Sequence, residues 1–119
     1  MTLAKNDLDR FPETGKVYRH PKVSSIAYTD GVKSLADETR AHWLINEIAT
    51  AQQLQNITTE AFQVWKLDVF RNRQALLTCY NDNASKLLVK RIDHTDFPLD
   101  EVSIFCVKST IMLPKEYLE

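Results

Sequence analysis

The 119 residues fit one domain, and 44% apolar with 26% charged residues is the balance of an ordinary globular protein that can bury a core. The net charge of −1 leaves no overall footprint for nucleic acid or an anionic membrane. No run approaches the roughly eighteen apolar residues of a membrane span, the N-terminus has no apolar h-region, and Gly15 and Gly31 are too few glycines for a phosphate-cradling loop.

The expectation is therefore a cytoplasmic protein without signal peptide or membrane segment. Cys79 and Cys106 each sit inside an apolar run, which predicts two reduced, buried thiols. A disulfide between neighbouring strands is the alternative.

Residues 1–14 read as a loosely held arm or a short helical turn, with Leu3, Leu8 and Phe11 as the sizeable apolar anchors. Pro12 keeps Phe11 out of the α region. Lys16-Val17-Tyr18-Arg19 reads as a short strand, ended by Pro21. The long stretch with helical spacing starts at Thr29 or Asp30, since either side chain can cap the first-turn amides. Val32, Leu35 and Ala36 begin an apolar stripe that Ala41, Leu44, Ile45, Ile48 and Ala49 continue. Asp37 offers a second cap. The spacing thus predicts one helix broken near residues 36–39, or a short helix followed by a long one.

From Ala61 the period changes to two. In Trp65-Lys66-Leu67-Asp68-Val69 apolar and charged residues alternate, which predicts a strand with one buried and one wet face. Further strands are predicted over Ala75 to Tyr80, Leu87 to Ile92, Val102 to Val107 and Thr110 to Leu113. Turns fall at Asn72-Arg73, Asn81-Asp82-Asn83 and Lys108-Ser109, and Pro114 stops the last strand. The predicted fold is α+β: one interrupted N-terminal helix packed on a four- to five-stranded antiparallel β-meander, as a single domain over residues 1–119.

Several words of the chain carry a resemblance: Tyr18-Arg19-His20, Tyr28-Thr29-Asp30-Gly31-Val32-Lys33, Val64-Trp65-Lys66-Leu67, Thr95-Asp96-Phe97-Pro98-Leu99 and Leu113-Pro114-Lys115-Glu116-Tyr117. As a set, over residues 11–118, they resemble a family of small uncharacterised bacterial proteins, a domain of unknown function encoded on phages, plasmids and other mobile elements. The chain departs from that pattern where glycines would be expected, near residues 82–84 and 108–109. The resemblance implies no activity and no catalytic residue. It implies a gene kept for dealing with a host.

Each candidate site also has a plainer role. His20, His42 and His94 lack ligand spacing with each other or with the cysteines, so no metal or cofactor is expected. His42 is expected to be half-buried beside Trp43. His94-Thr95-Asp96 could form an acid–base cluster, but short oxygens before a proline more simply make a turn. Thr29-Asp30-Gly31 could bind an anion, but Asp30 would repel it, and capping is the simpler role. No serine or cysteine sits in a glycine-flanked elbow, so no enzyme is expected.

Charge is uneven. Residues 61–92 carry Lys66, Arg71, Arg73, Lys86, Lys90 and Arg91 against Asp68 and Asp82, and residues 93–119 are correspondingly acidic. Such a surface either docks on a partner or cancels itself across strands. Phe62 and Phe70 share the strand face opposite Trp65, so they are expected to stay outside or to sit at a homodimer contact. The candidate partner-binding residues are Phe62, Lys66, Phe70, Arg71, Arg73, Lys90 and Arg91. The function expected is that of a small non-enzymatic protein of a mobile element that binds another protein; the resemblance implies an inhibitor of a host defence system, with a CRISPR effector component as the target. A nucleic-acid-binding accessory protein using the basic strands is the alternative.

Overall fold

The computed structural model describes residues 16–117; the arm expected over 1–14 lies outside the described residues. A hairpin of β1 (Val17–Arg19) and β2 (Ala27–Thr29) runs directly into α1 (Asp30–Thr39), α2 (His42–Ala51) and the single turn α3 (Gln55–Thr58). Then come β3 (Phe62–Val69), β4 (Ala75–Tyr80), β5 (Lys86–Ile92), β6 (Glu101–Val107), β7 (Thr110–Met112) and the closing turn α4 (Pro114–Tyr117). All seven strands form one sheet in the order β1-β2-β7-β6-β3-β4-β5. Every pair is antiparallel except β2 with β7, which run parallel.

This corrects the expectation of a single interrupted helix on a four- to five-stranded antiparallel meander. The sheet has seven strands and is mixed, and the helical part is four short helices. Of the two strands beyond the predicted meander, β1 falls in the short strand expected over Lys16 to Arg19, and β2 has three residues, too few for a period of two to register against background. The meander fails for a different reason. β6 returns past β4 and β5 to pair with β3. Its alternate residues Val102, Ile104 and Cys106 are buried, which suits an interior strand. In β5, by contrast, Lys86, Val89, Lys90 and Arg91 are exposed, which suits an edge.

The helical break also falls later than expected. Thr29 caps α1, its Oγ1 accepting from Val32 N at 3.3 Å. Arg40, with φ 57°, closes α1 in the left-handed conformation, and its N–H returns to Ala36 O. Asp37 does not start a second helix. It accepts from Lys33 at 2.7 Å and pairs with His42 at 2.6 Å. His42 is accordingly exposed, not half-buried.

One face of the sheet meets α1, α2 and α3. Val32, Leu35, Leu44, Ile45, Ile48 and Ile57 pack in one core with Trp65, Leu67, Leu77, Cys79, Ile104 and Ile111. Each such side chain contributes about 1.5–3 kcal/mol of burial. Gln63 is the polar exception on the buried face of β3. Its amide exchanges bonds with Gln52 at 2.7 and 2.8 Å and donates to Ile57 O at 2.9 Å. Its Oε1 also accepts from Trp65 Nε1 at 2.9 Å. The network fastens the end of α2 and the whole of α3 to the central strand, with no buried side-chain polar atom left unpaired among the described residues.

Both cysteines are free and buried. They stand on β4 and β6, either side of β3, opposite Trp65 and Gln63. Burial pushes both thiols up to about 12; for Cys79 the neighbouring Cys106 and Glu60 add to the effect.

Candidate partner-binding face

The alternation that buries Gln63, Trp65, Leu67 and Val69 turns Phe62, Val64, Lys66 and Asp68 to the other face. That face carries none of α1, α2 or α3. Its two ends differ. At one, Phe62 meets Phe105 with ring centroids 5.0 Å apart and planes at 59°. α4 lays Tyr117 on both rings, 5.0 Å from Phe62 and 5.9 Å from Phe105, edge to face. Such pairs add about 0.5–1.5 kcal/mol each beyond their buried area. Tyr117 keeps 45% of its surface exposed.

The other end is ionic. Asp68 lies directly across from Glu101 in the β3–β6 register, an unfavourable pairing of like charges. Lys66 relieves it from the same face, 3.7 Å from Asp68 and 3.8 Å from Glu101. Across-strand cancellation therefore accounts for Lys66. Arg91, opposite Leu76, is exposed on this face.

The remaining predicted residues are not brought together with these. Phe70 lies beyond the end of β3, in the β3–β4 turn, 47% exposed, with Arg71 exposed beside it. Eight residues of strand put it about 27 Å from Phe62, so the two do not form a pair. Arg73 is a structural clamp. Its Nε donates to Thr95 O at 3.0 Å and its Nη2 to Phe97 O at 2.5 Å. Lys90 points to the helix side, where Nζ bonds Glu47 at 2.6 and 2.7 Å. The basic residues thus do not share one surface, which a nucleic-acid track along β3–β5 would require.

The other candidates take up structural positions. His20 is buried; its Nδ1 accepts from Lys22 N at 3.1 Å and Val23 N at 3.0 Å, which leaves the ring proton on Nε2 to bond Asn46 Oδ1 at 2.8 Å. His94 and Asp96 are 3.2 Å apart, but their side chains are 68% and 95% exposed. Thr95 between them makes the turn, its Oγ1 accepting from Phe97 N at 3.1 Å. They line one wall of an open groove of about 740 Å³, with Glu38, Trp43 and Glu47 opposite. No group of three or more His, Cys, Asp or Glu side chains converges among the described residues.

At the start of α1 the place an anion would take is held by Glu116. Its Oε1 accepts from Thr29 Oγ1 at 2.7 Å and from Leu113 N at 2.8 Å. A carboxylate there is favoured by the helix dipole. Sequence reasoning missed Phe105 and Tyr117. Phe105 was readable, because it alternates with the apolar set Val102, Ile104 and Cys106; Tyr117 reaches the face only through the fold.

Together these features define an α+β sheet domain with α1, α2 and α3 on one face and, among the described residues, α4 and an aromatic cluster on the other. No helix among the described residues is long and apolar enough to cross a membrane. The chain belongs to a family described as a family of unknown function, DUF6876, whose model matches residues 2–117. No curated protein and no solved structure matches it.

Proposed function

We propose that this chain is a non-enzymatic protein-binding domain that meets its partner through the sheet face opposite α1, α2 and α3. The observation that carries this reading is the Phe62–Phe105–Tyr117 cluster, three rings on a sheet face that α1, α2 and α3 leave bare. Aromatic side chains flanked by charges are the anchors that protein interfaces use. The groove is a weaker seat for chemistry, because His94 and Asp96 stand in solvent, where a proton-transfer pair gains little from its surroundings. The resemblance noted in the sequence makes a component of a host defence system, such as a CRISPR effector, the target class to try first.

Affinity capture from a bacterial lysate tests this with three proteins: the unaltered chain, Phe105→Lys, and Val17→Lys at the far edge of the sheet. A partner retained by the first and third and lost by the second supports the reading, provided all three melt alike. Identical captures by all three would overturn it.

A further inference from the structure

β5 ends the sheet on one side, and its outer edge pairs with no described strand. It is seven residues long, whereas β1 at the opposite edge has three. An edge of that length presents a ladder of main-chain donors and acceptors to any extended chain. The side chains decide which chain fits. β5 holds Lys86, Lys90 and Arg91 and no acidic residue. Lys90 is matched by Glu47 on α2, but Lys86 and Arg91 are exposed and make no ion pair among the described residues. Between them Val89, 47% exposed, lies across from Thr78. A second copy of β5 laid edge to edge would bring lysine and arginine against lysine and arginine, so self-pairing is disfavoured. Val89 and Arg91 lie two residues apart on one face, and together they favour an apolar side chain beside an acidic one, again two residues apart.

We propose that β5 receives an extended acidic segment of a partner protein as an eighth strand. This rests on the reading of the chain as a protein-binding domain, and it adds the chemistry of one partner segment. Nucleic acid is the lesser fit, because it offers no main-chain ladder for β5 and the neighbouring basic side chains are divided between two faces.

The test is a titration of isotope-labelled protein with a short peptide that repeats Val-Thr-Glu-Thr, which sets valine and glutamate two residues apart on one strand face. A second titration uses the same peptide with lysine in place of glutamate. We expect chemical-shift changes and new amide hydrogen-exchange protection over residues 86–92 with the acidic peptide alone. Lys86→Glu with Arg91→Glu should weaken binding about tenfold, and added salt should weaken it further. Both positions are exposed, so an unchanged spectrum of the free variant certifies its fold. Equal binding of the lysine peptide, or no binding at millimolar peptide, would overturn the proposal. A single-stranded oligonucleotide perturbing the same amides as strongly would also overturn it. Changes confined to Phe62, Phe105 and Tyr117 would sink the edge and leave the face standing. Conversely, a capture indifferent to Phe105 would sink the face without touching the edge.

Discussion

Glu116 sits on Gly31: a Cβ added to Gly31 would lie 2.9 Å from Glu116 Oε2. The glycine is needed for this approach and not for an unusual backbone, since Gly31 is an ordinary residue of α1. Two words of the sequence 85 positions apart, Thr29-Asp30-Gly31 and Leu113-Pro114-Lys115-Glu116, are therefore one object. Alanine at Gly31 gains about 1 kcal/mol of helix preference. It also pushes the carboxylate off Thr29 Oγ1 and Leu113 N, bonds to a charged group worth about 1.5–3 kcal/mol each. Gly31→Ala should lower stability by about 2 kcal/mol or more in a urea melt. In a Glu116→Ala background the same change should raise stability, so the sign reverses.

Two turns have room for improvement. Ala84 and Ser109 hold φ of 62° and 69°, where a side chain is strained by about 1 kcal/mol. These fall at the tips where the resemblance led one to expect glycine, and the tips keep a left-handed backbone without it. Ala84→Gly and Ser109→Gly should each raise stability by about 0.5–1 kcal/mol. Arg73 has the same kind of backbone, φ 67°, yet Arg73→Gly should cost about 2 kcal/mol, because the clamp on Thr95 O and Phe97 O goes with it. Thermal melts of the three variants compare the two outcomes directly.

Gln63→Leu strands the indole N–H of Trp65 and the side-chain oxygen of Gln52, and takes one donor each from the carbonyls of Glu60 and Ile57, of which Ile57 O keeps Glu60 N. Buried groups left unpaired cost about 1–3 kcal/mol each, part of which relaxation recovers. The expected loss is about 3 kcal/mol by chemical denaturation. Adding Gln52→Leu should restore a measurable part of it, since one stranded partner is removed.

The thiols give a pH dependence. Burial holds both protons on, at about 12 for Cys79 and Cys106, so the unfolded chain ionises first as pH climbs past the ordinary thiol range. Stability should be flat through neutral pH and fall above roughly pH 8.5. At pH 8 a thiol reagent should leave the folded protein unlabelled and label both sites in denaturant. Prompt labelling of the native protein would contradict the burial.

Much of the centre could be read from residues alone. The alternation Trp65-Lys66-Leu67-Asp68-Val69 gave both faces of β3, and β4 runs over the expected Ala75 to Tyr80. The face residues Phe62 and Lys66 follow from that same alternation. Phe70 stays outside as expected, but it does not share a face with Phe62, because the alternation was carried past Val69, where the chain leaves the strand. Arg73 and Lys90 bond within the chain, which the sequence does not show, because a charge there does not say whether a carbonyl or a Glu47 waits for it. The order of the strands was not local information: β6 prefers β3 to its neighbour β5 because only a strand with an apolar row belongs inside the sheet.

The parallel contact of Ala27–Tyr28 with Thr110–Ile111 sets a timetable for synthesis. The first hairpin is attached to the sheet through β7 alone. A nascent chain leaving the ribosome carries that hairpin unpaired with the rest of the sheet until Thr110–Met112 has emerged. Docking of that hairpin and closure of the sheet are therefore one event, and a chain lacking Thr110–Met112 would leave β2 no strand of the sheet to pair with.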